Sequence, residues 1–407
     1  MLLSEVRTRP VQSALITLGL VVSALAVAGY LRDAVTEYLM DLDVFRDAGI
    51  AFLHHTPLYT EGFHSNSGFR FIYPPFAAFL FAPLALVGST TLQALWTLGL
   101  IALVWWMLQV IYKRLDVARA SLIASATLGV VLWLEPFRSN FAFGQINIVL
   151  MALVVADVLG VIPKRFRGVG IALAAAIKVT PAAFGLLLLL RKDTPSIVRA
   201  FGAFLATVTF GYWLRPDSTI YFWKDEFFAT DRAGDQDFFR NQALTGLIAR
   251  MGFSDGTSKI LWLVGAAVIV LATAWAAHRF LRAGETVPAL ALVGLASLLA
   301  APIAVTHHWV YSLFLVPLLV APRYRSWWPV LVPATLVFLF GPNKLLTDTS
   351  SDGWVEHLVL EALGNSQAIV AVAVFVAAVV AARSRRGEIF TPVPRGAAQP
   401  QSADATR

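Results

Sequence analysis

Long apolar runs, separated by short polar segments, make up most of this chain. Crossing a bilayer takes roughly 20 apolar residues in a helix. Runs of that kind lie near 11–31, 90–112, 118–135, 145–162, 199–214, 258–278, 287–304, 308–322, 327–341 and 366–382. Two more, 71–88 and 168–190, contain residues that interrupt a helix. The first opens with "YPPF", so it either returns to its own side of the membrane or lies along the surface. The second holds Lys178 and Pro181 within "AAAIKVTPAAF". Proline removes a helical hydrogen bond, so 168–190 predicts two shorter helices meeting near Lys178. Broken helices survive in a membrane only where protein or a water-filled cavity satisfies the backbone. Both interruptions therefore predict a cavity.

Composition agrees with the pattern. Of 407 residues, 58% are hydrophobic and only 14% charged, against roughly 25% charged in soluble domains. The mean hydropathy is +0.70. The fold class predicted is an all-α polytopic membrane protein. The first apolar run reads as a retained helix, not a cleaved signal. The net charge of +7 fits basic cytoplasmic loops better than nucleic-acid binding. Six basic clusters, from Lys113–Arg114 to Arg383–Arg386, place both termini in the cytoplasm. The segments 32–70, 136–144, 215–257 and 342–365 then become outer loops, with the "THH" near 306–308 on the same side. Tyr30, Trp133, Trp213, Trp309 and Tyr311 fall where an interfacial aromatic belt belongs. Residues 1–386 form one transmembrane catalytic domain in this reading, and 387–407 a disordered cytoplasmic tail. There is no cysteine, which excludes disulfides and thiolate chemistry.

The candidate chemistry gathers on the outer side. "MDLDVFRD", just after the first span, brings Asp41, Asp43 and Asp47 together with Arg46, which is placed to pair with either of the last two. Asp41 is either a helix N-cap or a general base. Asp43, two residues on, cannot share its face, so a matched carboxylate pair of the retaining type finds little support. His54, His55 and His64 lack a recognisable metal-ligand spacing. Arg70 serves as a lipid-phosphate contact or a headgroup anchor. Gln145 and Asn147 enter a span as amides that need partners. Lys178 is a charge deep in an apolar stretch, which by default marks function or a paired partner. Arg240 and Asn241, beside Gln242, and the pair His307–His308 are further substrate-contact candidates.

In this order, "DLDVF", "PLY", "RFIYPPF", "GQINIVLMAL", "AAAIKVTP", "NQALTG" and "APIAVTHHWVY" resemble the polyprenyl-phosphate-mannose-dependent α-1,2-mannosyltransferases of actinobacteria. Those are membrane glycosyltransferases of GT-C type. The resemblance covers roughly residues 41–312. It implies a bundle of about 10–13 transmembrane helices with an outward-facing cavity. It implies inverting transfer of mannose from the lipid phosphate to a mannose hydroxyl of a glycolipid or lipoglycan, with phosphatidylinositol mannosides the leading acceptors. It places Asp41 as the catalytic base. Lys178, Arg70, His307 and His308 then bind the donor phosphate. Asp43, Tyr59 of "PLY", Tyr73 of "RFIYPPF", Gln145, Asn147, Arg240, Asn241 and Gln242 hold sugar or acceptor. No cofactor is required in this reading, and a divalent metal is not expected. The chain departs from the family pattern at Asp43 and at Ala304–Val305, before the histidines. The rival class is a polytopic lipid or sugar transporter, which also uses broken helices.

Overall fold

The computed structural model describes residues 2–229, 236–344 and 354–384. The tail expected at 387–407 and part of the loop expected at 342–365 lie outside the described residues. Among the described residues there is no strand, only one isolated bridge between Asn241 and Val305. The helices are α1 (Leu2–Thr36), α2 (Met40–Leu53), α3 (Pro75–Phe81), α4 (Ser89–Arg114), α5 (Ala120–Trp133) and α6 (Glu135–Phe143). They continue with α7 (Asn147–Val158), α8 (Val169–Ile177), α9 (Gly185–Leu190), α10 (Thr194–Leu214), α11 (Pro216–Lys224) and α12 (Leu244–Arg250). The last six are α13 (Asp255–Arg282), α14 (Thr286–Leu299), α15 (Leu315–Val320), α16 (Trp328–Phe340), α17 (Trp354–Gly364) and α18 (Ser366–Ser384).

Each of the ten apolar runs contains a helix. Five are long and apolar enough to cross a membrane alone: α1, α4, α10, α13 and α18. α5 and α6 make a sixth candidate, bent by 76° at Leu134. Others, such as α7 and α14, have 12 and 14 residues. At 1.5 Å per residue these fall short of a bilayer core of ~30 Å. They are also largely buried, so the longer helices around them meet the lipid.

The stretch 168–190 breaks as predicted. α8 ends at Ile177, and Lys178 takes an extended conformation (φ −146°, ψ 125°). A 3-10 turn, Thr180–Phe184, with Pro181 in its first turn, then leads into α9. The buried Asp157 carboxylate accepts from the Gly168 and Ile171 amides at 2.9 and 3.1 Å, satisfying orphan donors at the start of α8. The stretch 71–88 folds as α3 and a short 3-10 turn.

Several supposed loops are structured. Segment 32–70 contains α2, 136–144 is mostly α6, and 215–257 holds α11 and α12. α2 packs its Phe45 ring on Phe81 at 4.7 Å and edge-on to Tyr73 at 5.3 Å. Gly49 permits that approach, because a Cβ there would strike the Phe81 carbonyl. The buried Arg215 guanidinium donates to the carbonyls of Ala51, Phe52 and Thr56. This cation meets the negative C-terminal end of α2 and pins it to the bundle. The expected aromatic belt is only partly present. Trp133 and Trp213 are exposed, but Trp309 is 1% exposed and donates its indole N–H to the Ala304 carbonyl at 3.1 Å.

Candidate functional site

The three carboxylates of "MDLDVFRD" have three different settings. α2 begins at Met40 and its N-cap is Leu39, so Asp41 lies in the first turn and is not the cap. Asp43 accepts from the Tyr38 hydroxyl at 2.7 Å. Asp47 is buried and accepts from the Asn66 backbone and side-chain amides at 2.8 and 3.1 Å. Arg46 donates to the Val87 carbonyl and does not form the expected ion pair. Of the three, Asp41 is the one turned toward Gln145 and Lys178. A helix turns about 100° per residue, so positions two apart point to different sides.

Asp41 meets Gln145, which the chain delivers through a tight turn. α6 is capped by Gly144, which has φ +69°, a conformation glycine adopts without strain. A Cβ at Gly144 would stand 2.7 Å from the Leu42 Cβ. Glycine thus lets the α6–α7 turn press onto α2. The Gln145 Oε1 accepts from the Tyr73 hydroxyl and from Asn147 Nδ2, each at 3.4 Å. Its amide N–H is left to donate to Asp41. Burial pushes the Asp41 carboxyl up to about 6, opposed by the Gln145 hydrogen bond and then by the Lys178 charge. Desolvation disfavours the charged form, and here it outweighs both opposing effects.

The break after α8 puts Lys178 opposite. Its Nζ donates to Asn147 Oδ1 at 3.1 Å and lies 3.1 Å from His308 Nε2. It also sits 5.6 Å from the Tyr73 ring centroid. An ammonium only donates, so His308 Nε2 accepts and its proton resides on Nδ1. The histidine pair is therefore divided in role. His308 joins Lys178, while the His307 ring packs edge-on against Phe143 at 5.6 Å. The His307 carbonyl accepts from Asn147 at 3.1 Å and Asn140 at 3.4 Å. A cavity of about 50 Å³ opens beside Asn147, Lys178, His308 and Tyr311.

Other predicted contacts stand apart. Arg70 is exposed and does not join this network. The Tyr59 hydroxyl donates to the Tyr73 carbonyl at 2.6 Å, bracing the aromatic wall. Asn241 and Gln242 are fully buried and occupied by backbone. Asn241 Nδ2 donates to the Gln236 carbonyl and its Oδ1 accepts from the Ala243 and Ala304 amides. Gln242 donates to the Phe239 and Gly364 carbonyls and accepts from the Ala368 amide. Their amides stitch the segment before α12 to Ala304, just ahead of the histidines, and to the start of α18, so both side chains are taken up by structural hydrogen bonds. Arg240 stacks over Phe239 at 5.5 Å and is near enough to act electrostatically on His307. Among the described residues, no three His, Asp or Glu side chains are grouped to hold a metal ion.

Sequence reasoning missed Glu135, Arg138, Asn140 and Lys344. Glu135 is buried and pairs with Lys344 at 2.6 Å and Arg138 at 3.1 Å. Asn140 donates to the His307 carbonyl at 3.4 Å. A buried carboxylate inside "WLEPFRSNF" was the available signal, but its lysine lies more than 200 positions away.

A model of glycosyltransferase family 87 matches residues 71–302. A protein of Mycolicibacterium smegmatis is 36% identical over 343 residues, 76% of this chain and 77% of its own. A Mycobacterium tuberculosis protein is 35% identical over 298 residues, 68% and 69% of the two chains. Both are named polyprenol-phosphate-mannose-dependent alpha-(1-2)-phosphatidylinositol mannoside mannosyltransferase. A second M. smegmatis protein, named for a phosphatidylinositol pentamannoside, is 30% identical over 284 residues, 70% of this chain and 64% of its own. No solved structure matches the chain significantly. None of these relatives is named as a transporter, which leaves the rival reading without support. By the extent of the family match and of these identities, the chain is a membrane glycosyltransferase belonging to glycosyltransferase family 87.

Proposed function

We propose that this chain transfers mannose from a polyprenyl-phosphate mannose to a hydroxyl of a phosphatidylinositol mannoside, with inversion to an α-1,2 linkage. The observation that carries the reading is one connected network. Asp41, Gln145, Asn147, Lys178 and His308 come from four separate stretches of chain; Asn147, Lys178 and His308 line a small cavity, and Gln145 links Asp41 to them.

Asp41 takes the proton of the acceptor hydroxyl as its oxygen attacks C1 of the donor sugar. The bond between C1 and the phosphate oxygen breaks, and the phosphate leaves on its lipid with the electron pair. A carboxyl shifted up to about 6 is a better base than an ordinary aspartate yet remains ionised at neutral pH. Lys178 supplies positive charge to the departing phosphate, and His308 donates from Nδ1–H. Donors placed in advance where charge develops lower the barrier with little reorganisation. The single carboxylate at the reacting face fits one displacement better than two. No metal ion has a role in this scheme. The distribution of basic clusters supports a network toward the outer leaflet, with both termini in the cytoplasm.

The test incubates purified protein with polyprenyl-phosphate mannose and phosphatidylinositol mannosides of increasing mannose number. Mass spectrometry should show one added hexose, and linkage analysis a 2-substituted mannose. No mannosylated lipid from any acceptor would overturn the reading.

A further inference from the structure

Three arginines converge on one turn at the ends of α7 and α8 that lie away from Asn147 and Lys178. The turn is Gly160, just past α7, with φ +71°. A Cβ there would stand 3.3 Å from Arg114 Nη2 and 3.8 Å from Arg167 Nη2, so two guanidiniums approach the same stretch of bare backbone. Arg191 donates to the Val158 carbonyl at 3.2 Å and feels the charge of both. The nearby carboxylates are engaged with backbone. Asp157 accepts from the Gly168 and Ile171 amides. Asp193 caps α10 through the Ser196 amide and hydroxyl, and meets Arg167 only at 3.5 Å. Among the described residues Arg114 has no hydrogen-bond or ion-pair partner, and neither has the buried Arg167 Nε. We infer that this cluster binds the phosphate of an anionic phospholipid, in the leaflet opposite the Asp41 network. The inference does not rest on the proposed donor or acceptor.

Three observations point to that ligand. First, protein groups leave the charge arrangement incomplete. Like charges brought this close repel unless an anion lies between them, and a phosphate accepts from several guanidinium N–H groups at once. Second, the cluster lies where spans end. Arg114 is the last residue of the apolar helix α4, and α10 begins at Thr194, next to Asp193. α7 has 12 residues, so about 18 Å separate the cluster from Asn147. Third, apolar side chains flank it. Val161 and Phe166 are exposed beside Gly160 and Arg167, and Val198 and Phe201 are exposed on the first turns of α10, which packs against Gly168. An anion set beside lipid-facing apolar surface suits a headgroup with its acyl chains better than a soluble phosphate. Two simpler explanations cover less. A basic loop on the cytoplasmic side needs charge but no convergence. Compensation of helix dipoles accounts for Arg114 at the end of α4 and Arg191 at the end of α7, but Arg167 stands at the start of α8, where a cation is unfavourable.

The experiment follows thermal melting of the purified full-length chain in neutral-detergent micelles as lipid is added. Dioleoylphosphatidylglycerol should raise the melting temperature and saturate, while dioleoylphosphatidylcholine at the same mole fraction should not. Native mass spectrometry of the same sample should show phosphatidylglycerol retained on the chain. Arg114 is exposed and unpartnered among the described residues, so Arg114→Gln should fold normally and weaken the affinity for phosphatidylglycerol by about tenfold. Arg114→Lys should recover much of it, because an ammonium still meets a phosphate as a point charge. Arg165→Gln removes the same charge from the same loop without touching the cluster, since its guanidinium lies over Phe166. That variant should stay within about twofold of the parent. Equal losses for Arg114→Gln and Arg165→Gln would reduce the effect to diffuse attraction and overturn the inference. So would equal stabilisation by phosphatidylcholine, or an unchanged affinity in Arg114→Gln. Inorganic phosphate is the last arm. If it stabilises the chain as strongly as phosphatidylglycerol at equal concentration, the cluster is a site for a free anion and the lipid assignment falls.

Discussion

Replacing Asp41 by Asn separates a catalytic base from a structural carboxylate, because the two roles predict opposite changes in stability. The carboxyl is pushed up from 3.8 to about 6 by burial. That difference corresponds to about 3 kcal/mol. The sign follows from proton binding. Between pH 3.8 and about 6 the folded state holds the proton more tightly, so the contribution to stability is lost as pH rises through that window. At neutral pH the folded protein therefore carries an ionised group at a cost of about 3 kcal/mol. Asn keeps the shape without the charge. Asp41→Asn should melt no lower than the unaltered protein at neutral pH, and up to a few degrees higher, with the gain fading on acidification. Its kcat should fall by roughly 10²–10⁴-fold, a barrier increase of about 3–5 kcal/mol. The pH profile of the unaltered enzyme supplies the second measurement. Only the carboxylate can act as base, so activity should decline as pH falls through about 6. At pH 5 about one-tenth of the carboxyl is ionised, against about nine-tenths at pH 7. An aspartate titrating normally would still be about nine-tenths ionised at pH 5 and would give a flat profile over that range. Transfer by Asp41→Asn at the normal rate would refute the assignment. An inactive variant that melts markedly lower, with a flat acid limb in the parent, would make Asp41 a structural residue.

The remaining predictions follow from the same geometry. Asp43→Asn removes a charge but keeps an oxygen that accepts from Tyr38, and should keep kcat/KM within about twofold, which separates the two neighbouring carboxylates. Lys178→Met removes a charge that lowers the Asp41 titration; the acid limb of the pH profile should move up, and the donor KM should rise by about tenfold. Arg215→Met strips three carbonyls at the end of α2 of a buried charged donor; at about 1.5–3 kcal/mol for a hydrogen bond to a charged group, the melting temperature should drop clearly and activity with it. Chelation with EDTA should leave turnover unchanged.

How much of this was legible depended on how local the cause was. The break at Lys178 could be read because a cation and a proline within an apolar run leave the backbone few options. Helical geometry separates Asp41 from Asp43, but position alone left Asp41 open between cap and base, and it was the resemblance of "DLDVF" to the family motif that singled it out. The fates of Asn241 and Gln242 could not be read. Two amides near a proposed cavity look like sugar contacts, and only the fold brings the Ala304 amide and the Gly364 carbonyl to them. The Glu135–Lys344 pair was hidden for the same reason, since burial and partner both come from distant sequence. Asp47 was indistinguishable from a solvated acid until Asn66 closed over it.

The arrangement around Asp41 also accounts for the number of amides at this site. A base held mainly by a cation would be fixed in place, but its affinity for a proton would fall. Here burial is the largest influence on the carboxyl, the Gln145 hydrogen bond comes next, and the Lys178 charge is smaller still. Gln145 and Asn147 link the carboxylate side of the network to the cationic side, so position is set largely by neutral groups. Lys178 is directed by Asn147 toward His308, where the proposed leaving phosphate would need its charge. Exchanging Gln145 for Glu tests this division of labour. A second carboxyl beside Asp41 would share its proton, push the acid limb of activity upward and depress the rate at neutral pH, although the side chain is nearly the same shape. Normal turnover by Gln145→Glu at neutral pH would show that the amide's neutrality is not what keeps Asp41 a working base.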